Sequence, residues 1–258
     1  MKLRRFLIPA LFFVSLVMVW YEAASLRLVS PLLLPAPQEV VAYLVQALSD
    51  NSIITAIVVT MKRLVLGYLI SILIGLPMGW MCWRSRTLSS SLGLLALSAQ
   101  ALPSVCWVPF ALLALGQSEG AMLFVVVMGS VGSITLAAES SFRNVPRSFI
   151  ELARTMGSNR FHTTFFIVFP AALPQLFSGM KQGWAFAWRS LMAAEIYVSV
   201  MGNLGLGQLL HFGRELHAMD QVLGVMFVIL AIGLFLDRVI FVPLENKLRF
   251  QRGTSLAA

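Results

Sequence analysis

Few side chains in this sequence have the types and the spacing that catalysis requires. No glycine precedes a lysine, so the phosphate-binding loop G-x-x-x-x-G-K-[S/T] is absent, and there is no H-E-x-x-H pair. The histidines His162, His211 and His217 have no metal-ligand spacing, and Cys82 and Cys106 form no C-x-x-C pair. We therefore predict no enzyme, no metal site and no cofactor on this chain. We interpret both cysteines as packing residues, and His211 and His217 as a solvated loop pair.

Charged side chains inside an apolar run are the stronger functional candidates. Arg189 and Glu195 lie in the fifth of the runs described below. An arginine at the centre of a bilayer costs at least about 3 kcal/mol, so it needs a partner, a water-filled cavity or a solute. Six residues of helix separate the two by about 120°, so each is predicted to have its partner elsewhere. Lys181, Trp184, Trp188 and Glu195 share one face.

Two interpretations of Arg189 remain open. In the first, Arg189 lines a transport pathway and attracts an anion, with Trp188 and Glu195 beside it. In the second, Arg189 forms a structural ion pair between helices and the tryptophans are packing or interface residues.

The composition indicates a membrane protein. Hydrophobic residues make up 59% of the chain and charged residues 12%, whereas soluble domains are roughly a quarter charged. The net charge of +8 comes mostly from short basic tracts between apolar runs, which orient membrane proteins and argue against a nucleic-acid partner. We therefore predict an all-α integral membrane protein in contact with lipid.

The apolar runs predict about six transmembrane helices, because each is near the roughly 20 residues that a bilayer requires. Basic residues concentrate in alternate connections, which predicts that both termini are cytoplasmic. A short surface helix is expected over Pro37–Asp50, and residues 1–258 are expected to form a single transmembrane domain. The predicted spans are Phe6–Ala24, Leu64–Trp83, Leu92–Leu115, Ala121–Glu139, Pro174–Val200 and Gln221–Val242.

Glycine and proline give two of these spans special features. Gly75-x-x-x-Gly79 in the second span predicts close approach of another helix, and Pro77 between them permits a kink. Pro103 and Pro109 predict that the third span is bent or broken. Such a break can line a transport path or can be a plain proline kink.

The polar stretch Arg147–Pro170, between the fourth and fifth spans, has its own helical pattern. Ser148 and Glu151 have the spacing of a capping box. The sequence predicts one apolar stripe at helical spacing, formed by Phe149, Leu152, Ala153 and Met156. Gly157 follows the last residue of this stripe, at the position where a left-handed C-cap favours glycine. A second helix is predicted to start at Ser158 or Asn159, to run over Phe161, Phe165 and Phe169, and to end at Pro170.

This stretch resembles the EAA loop of ABC-transporter permeases. The matching residues are Glu151-Leu-Ala153, three residues, Gly157, nine residues, and Ile167-Val-Phe-Pro170. Leu152 stands where the family has alanine, and Phe169 where it has leucine. The resemblance implies a cytoplasmic coupling helix that docks on a separate ATPase subunit, and it implies these ATPase-coupling residues: Glu151, Leu152, Ala153, Met156, Gly157 and Pro170. The alternative is an amphipathic segment on the membrane surface.

Shorter motifs resemble the nitrate, sulfonate and taurine branch of these permeases. They are Leu34-Pro-Ala-Pro37, Thr60-x-x-Arg63-x-x-x-Gly67, Pro103–Gly116, Ala194-Glu195 and Gly205-Leu-Gly207. The resemblance implies a permease subunit of an importer in the cell inner membrane, carrying a small anion such as an aliphatic sulfonate, taurine or nitrate. A pyrimidine vitamin precursor is the alternative solute.

The resemblance also implies the partners. They are two copies of an ATPase subunit that binds the ATP, a second copy of this chain in a homodimer, and an extracytoplasmic solute-binding protein. The alternatives of other classes are a stand-alone six-span channel or secondary transporter, and a membrane-embedded enzyme.

Overall fold

The computed structural model describes residues 2–30, 32–200, 202 and 204–250, with residues 2–7, 9, 10 and 248–250 described by their backbone alone. These residues are helical wherever they are regular, and no strand occurs among them. The helices are α1 Lys2–Ser25, α2 Pro37–Ser49, α3 Ser52–Arg84, α4 Arg86–Ala101, α5 Ser104–Leu115, α6 Glu119–Arg143, α7 Arg147–Thr155, α8 Arg160–Tyr197, α9 Leu206–Glu215 and α10 Met219–Lys247, with helical residues continuing to Phe250.

The described residues include 4 helices that are long and apolar enough to cross a membrane, namely α3, α6, α8 and α10. The bent pair α4–α5 raises the number to 5 if it is one broken span. In α1, Leu11–Ser25 is a shorter apolar helix. The all-α membrane prediction is confirmed, and the number six remains a prediction.

The helix of the second predicted span starts earlier than the sequence suggested. α3 has 33 residues, which at 1.5 Å per residue is about 50 Å, longer than the roughly 30 Å hydrocarbon core of a bilayer. The predicted span started at Leu64, after the polar residues Thr60 and Arg63, but Thr60 is 0% and Arg63 only 4% exposed. A hydropathy pattern cannot distinguish these buried polar side chains from loop residues.

The third predicted span is broken at Pro103 alone. α4 and α5 meet at an angle of 95° on either side of residues 102–103. Pro109 lies in the first turn of the α-helical segment Trp107–Leu115, where the backbone N–H of a helix has no intrahelical partner to lose. The predicted interruption at Pro109 is therefore wrong.

The chain divides into two compact units, Met1–Val59 with Gly202–Ile232, and Thr60–Met201 with Gly233–Ala258. In the first unit, the Trp20 ring lies 5.8 Å from the Phe227 ring, and the Trp20 indole N–H donates to the Pro35 carbonyl at 3.1 Å. The Tyr43 ring packs closely against Gly224: a Cβ added to Gly224 would lie only 2.8 Å from Tyr43 Cδ1. The helix predicted over Pro37–Asp50 is confirmed as α2.

The second unit is built around α6, whose apolar window is 56% buried. α3 packs closely along it: an added Cβ on Gly79 would lie 2.5 Å from the Cβ of Ala138, and one on Gly75 would lie 2.9 Å from Ile134 Cγ2. The predicted close approach at these glycines is therefore confirmed. Because α8 packs on α6 as well, the core of this unit positions the residues described next.

Candidate functional site

The first helix predicted in the stretch Arg147–Pro170 is present as α7, which is not one of the long apolar helices. Its inner side contains Ala153, which is 3% exposed, and Ile150, which packs against a cluster that includes Phe142 and Val168. Its outer side exposes large apolar side chains: Phe149 is 48%, Leu152 60% and Met156 79% exposed. The predicted apolar stripe is thus divided, since Ala153 belongs to the buried side. The exposed part is a small apolar surface suited to a protein partner.

A Schellman turn fixes the end of α7. The N–H of Gly157 donates to the Arg154 carbonyl at 3.0 Å, and the N–H of Ser158 donates to the Ala153 carbonyl at 3.0 Å. Gly157 has φ +77, a left-handed conformation that glycine adopts at little cost. The predicted left-handed C-cap at Gly157 is confirmed.

The predicted capping box at Ser148 and Glu151 is wrong. The residue that precedes the first turn of α7 is Pro146, and no side chain caps the helix there. Proline presets a φ close to that of a helix, so α7 starts at Arg147 and both residues of the expected box lie inside it. The Glu151 side chain is exposed and is therefore available to a partner.

The second helix of the loop starts as predicted but does not end at Pro170. Asn159 Oδ1 accepts from the N–H of His162 at 2.7 Å, so Asn159 is the cap. The helix passes through a π-helical segment, Thr163–Val168, and continues to Tyr197. Pro170 lies two residues after this wider turn, and α8 accommodates it without ending.

Glu195 takes part in a buried ion cluster with Arg63. Glu195 is 0% and Arg63 4% exposed, and Arg63 Nη1 lies 2.9 Å from Glu195 Oε1. The Thr60 hydroxyl donates to both Glu195 oxygens, at 2.9 and 3.1 Å. Arg63 also binds Glu119 through two bonds, Nε to Oε2 at 2.7 Å and Nη2 to Oε1 at 2.6 Å. Two parallel bonds of this kind fix the relative orientation of the guanidinium and the carboxylate.

The cluster confirms that Glu195 has its partner on another helix. That partner, Arg63, lies in α3 just before the predicted start of the second span and is nearly inaccessible. The signal for this pairing was present in the motif Thr60-x-x-Arg63 and in the pair Ala194-Glu195, which resembled the same branch of permeases. Spacing alone could not show that these motifs meet.

Arg189 lies beside a separate cavity of about 300 Å³, lined also by Lys181, Trp184 and Trp188. The Arg189 Nε donates to the carbonyl of Ala185 at 3.2 Å, and its guanidinium lies 4.7 Å from the centre of the Phe186 ring. Within the described part of the chain, no carboxylate lies within 4.0 Å of Arg189. The structure therefore forms no ion pair of Arg189 among these residues.

Lys181 and Asp237 form an ion pair at the same cavity, with 2.6 Å between Nζ and Oδ1. Asp237 lies in a π-helical segment, Leu236–Phe241, which lines this cavity with α8. The cavity therefore contains one paired cation and the Arg189 guanidinium, which gives it a positive balance of charge.

The histidines and cysteines give no metal site in the part of the chain that the structure describes. His211 is on α9 rather than in a loop, and only His217, with φ 56, lies in the turn that follows. Cys82 is buried as predicted, but Cys106 is exposed, so its interpretation as a packing residue is wrong.

The fold is similar to that of a solved transporter. A structure described as "Inward facing conformations of the MetNI methionine ABC transporter" aligns with a TM-score of 0.61 and 18% sequence identity, over 74% of this chain and 93% of that chain. At this identity the similarity shows the fold alone. The fold and the apolar helices define a multi-pass membrane protein with the architecture of an ABC-transporter permease.

The sequence identifies the family within this class. The model of binding-protein-dependent transport system inner membrane components matches residues 71–242, more than half of the chain. A putative ABC transporter permease protein of Methanocaldococcus jannaschii is 30% identical over 87% of this chain and 85% of its own length. The chain therefore belongs to the family of binding-protein-dependent transport system inner membrane components, which are transport permeases.

Other relatives are named for particular solutes. The taurine transport system permease protein of Escherichia coli is 26% identical over 86% of this chain and 82% of its own length. The bicarbonate transport system permease protein of Synechococcus elongatus is 27% identical over 73% of this chain and 67% of its own length.

Proposed function

We propose that this chain is the membrane-spanning subunit of an ABC importer and that residues 1–258 act as one permease domain. In this proposal the chain crosses the membrane about six times and has both termini in the cytoplasm. Two copies enclose the pathway, two copies of a separate ATPase subunit supply the energy, and an extracytoplasmic binding protein delivers the solute. An isologous pair of chains is the simplest way to enclose a central path.

The observation that carries the proposal is the exposed apolar surface of α7. Phe149, Leu152 and Met156 lie outside the long apolar helices, and the described protein core leaves them exposed. A groove on the ATPase would cover them. The Gly157 turn holds the end of α7 in place, and Glu151 adds an exposed carboxylate beside the apolar residues.

Coupling follows from what α7 contacts on its inner side. Ile150 packs against the cluster formed by Phe142 and Val145, near the end of α6, and by Val168 and Leu176 of α8. Helices that are packed together in this way move together as one rigid unit. When ATP closes the ATPase pair, a movement of α7 is therefore carried into the ends of α6 and α8, and alternating access results.

The solute that we propose is a small oxyanion, such as an aliphatic sulfonate, taurine or nitrate. Support comes from the relatives named for taurine and bicarbonate and from the positive balance of charge at the Arg189 cavity. In this proposal Arg189, with Trp188 beside it, attracts the anion, whereas Glu195 acts through the Arg63 cluster that holds α3 and α8 together. A pyrimidine vitamin precursor is the alternative, since relatives of this fold do not fix the solute.

A paired substitution tests docking at α7. Leu152→Glu places a charge on the exposed apolar side, and Arg154→Glu places the same charge about 160° away on the same helix. Burying a leucine contributes about 1.5–3 kcal/mol, so Leu152→Glu should weaken co-purification of the ATPase with the permease by at least about tenfold. The Arg154→Glu variant should retain most of the co-purification of the ATPase with the permease.

A second measurement tests coupling itself. Glu151→Lys and Gly157→Pro should leave the protein in the membrane but abolish the stimulation of ATP hydrolysis by the loaded binding protein. Unchanged stimulation in both variants would refute the coupling role of α7. Solute uptake that needs no ATP would instead identify a stand-alone channel or secondary transporter.

A further inference from the structure

A second pocket, larger and more polar than the Arg189 cavity, lies between α4, α6 and α8. Its volume is about 690 Å³, and its lining includes Gln100 of α4, Ser133 of α6, and Gln175 and Gln182 of α8. These elements all belong to the second unit. We call it the glutamine pocket, and no residue in it lines the Arg189 cavity.

Helix geometry brings the polar side chains of the glutamine pocket together. Gln175, Ser178 and Gln182 are three and four residues apart, which puts them on one face of α8. Small residues let the three helices approach closely behind them: an added Cβ on Gly132 of α6 would lie 2.6 Å from the Ala96 carbonyl oxygen of α4, and one on Gly179 of α8 would overlap Ala137 of α6.

An ion pair without net charge lines one end of the pocket. Arg143 Nη2 lies 2.7 Å from Glu139 Oε1, and the Ser89 hydroxyl donates to the same oxygen at 2.6 Å. Arg143 Nη2 also donates to the Ser89 hydroxyl at 2.9 Å. Because Arg143 neutralises Glu139, an anion in the pocket would not meet an unbalanced negative charge.

The glutamine amides give the pocket its hydrogen-bonding capacity. In the described part of the chain, the side chains of Gln100, Gln175 and Gln182 make no hydrogen bond within the protein. Gln175 and Gln182 are exposed and Gln100 is half-buried, so their amide groups are available to water or to a solute that enters the pocket. Each amide offers two N–H donors and one carbonyl acceptor.

We propose that the glutamine pocket is a binding site for a small oxyanion during its passage through this permease. The N–H groups of Gln100, Gln175 and Gln182 donate to the oxyanion, and the amide oxygens accept from an ammonium group if the solute is zwitterionic. This assignment deepens the importer function proposed above and rests on it. It places the bound oxyanion in a pocket whose lining residues carry no net charge, whereas Arg189 attracts the anion at a separate cavity.

Accessibility of an introduced cysteine tests the site in the assembled transporter. The permease with its ATPase, in lipid nanodiscs, carries Cys82→Ala, Cys106→Ala and Gln182→Cys, and the probe is sulfonatoethyl methanethiosulfonate. We expect the probe to modify the new cysteine, and we expect taurine, bicarbonate or nitrate to slow the reaction. When the solute concentration is ten times its dissociation constant, about a tenth of the sites are without solute. The modification of the cysteine should therefore slow by about tenfold.

The matched control is Asn144→Cys in the same background, at the exposed residue that follows α6. The probe should modify this cysteine at a rate that none of the three solutes changes. Failure of the probe to reach Gln182→Cys would show that lipid or a second copy covers the pocket, and would overturn the proposal. Absence of slowing by all three solutes would also overturn it, as would slowing at Ala185→Cys alone, which would place the solute in the Arg189 cavity.

Uptake separates this proposal from the importer function. Gln182→Glu keeps the side-chain shape but replaces the N–H donors with a negative charge, so we expect the half-saturating solute concentration to rise at least about tenfold. Normal uptake by Gln182→Glu, with ATP-driven uptake by the unsubstituted transporter, would overturn the pocket and leave the importer intact. Solute protection of Gln182→Cys without any ATP-driven uptake would overturn the importer and leave the pocket.

Discussion

Removal of Arg63 should be among the most damaging single substitutions in this protein. Arg63 is 4% and Glu195 0% exposed, and they join α3 to α8 across 132 positions of sequence. Arg63→Met keeps much of the side-chain length but removes the guanidinium that faces the buried Glu195 carboxylate. The substitution also removes both hydrogen bonds to Glu119.

The magnitude follows from the burial of the pair. Removing one partner of a buried ion pair costs about 3–5 kcal/mol. The Glu119 side chain is 43% exposed, so solvent screens its bond to Arg63 and its loss adds less than about 1 kcal/mol. With about 2–4 °C of melting temperature per kcal/mol for a chain of this size, Arg63→Met should lower Tm by about 6–20 °C.

The assay is thermal unfolding of the detergent-solubilised protein, followed by size-exclusion fluorescence. The double variant Arg63→Met with Glu195→Gln removes both charges of the buried pair and should recover at least half of the lost Tm. Glu119→Gln, at the exposed end of the cluster, is the matched control and should change Tm by less than about 4 °C.

Two outcomes would refute this reasoning. If Arg63→Met lowered Tm no more than Glu119→Gln does, the buried pair would not be a stabilising contact. If the double variant were no more stable than Arg63→Met alone, the loss would come from the shape of the arginine side chain and not from the charge left at Glu195.

Other substitutions test the packing and the second ion pair. Gly79→Val should lower Tm by about 2–12 °C, because overpacking against Ala138 costs about 1–3 kcal/mol. Gly233→Val, which has open space around it, should change Tm little, and equal effects of the two substitutions would contradict the close contact of α3 with α6. Lys181→Met should lower Tm by less than about 4 °C, because Asp237 is 41% exposed and screening weakens the pair; a loss as large as that of Arg63→Met would show that the pair is desolvated in the membrane.

The loop between the fourth and fifth spans shows which structural features a local sequence pattern can predict and which it cannot. Gly157 and Asn159 could be assigned from sequence because a left-handed residue and a side-chain cap depend on only a few neighbouring residues. The start at Arg147 and the passage through Pro170 were not predicted. The start depends on Pro146 as the preceding residue, and the passage through Pro170 depends on a π-helical segment. The spacing of hydrophobic residues does not predict either feature.

Hydropathy, turn chemistry and motif spacing are properties of neighbouring residues. They were therefore sufficient to predict an all-α membrane protein, the positions of its apolar runs and the loop that carries the motif of a permease family. The pairing of Arg63 with Glu195, the pairing of Lys181 with Asp237 and the pocket shared by glutamines of α4 and α8 became visible in the folded chain alone. A charge at the edge of an apolar run has the same hydropathy whether it faces water or a buried carboxylate. Its partner is chosen by the packing of helices that are distant in the chain.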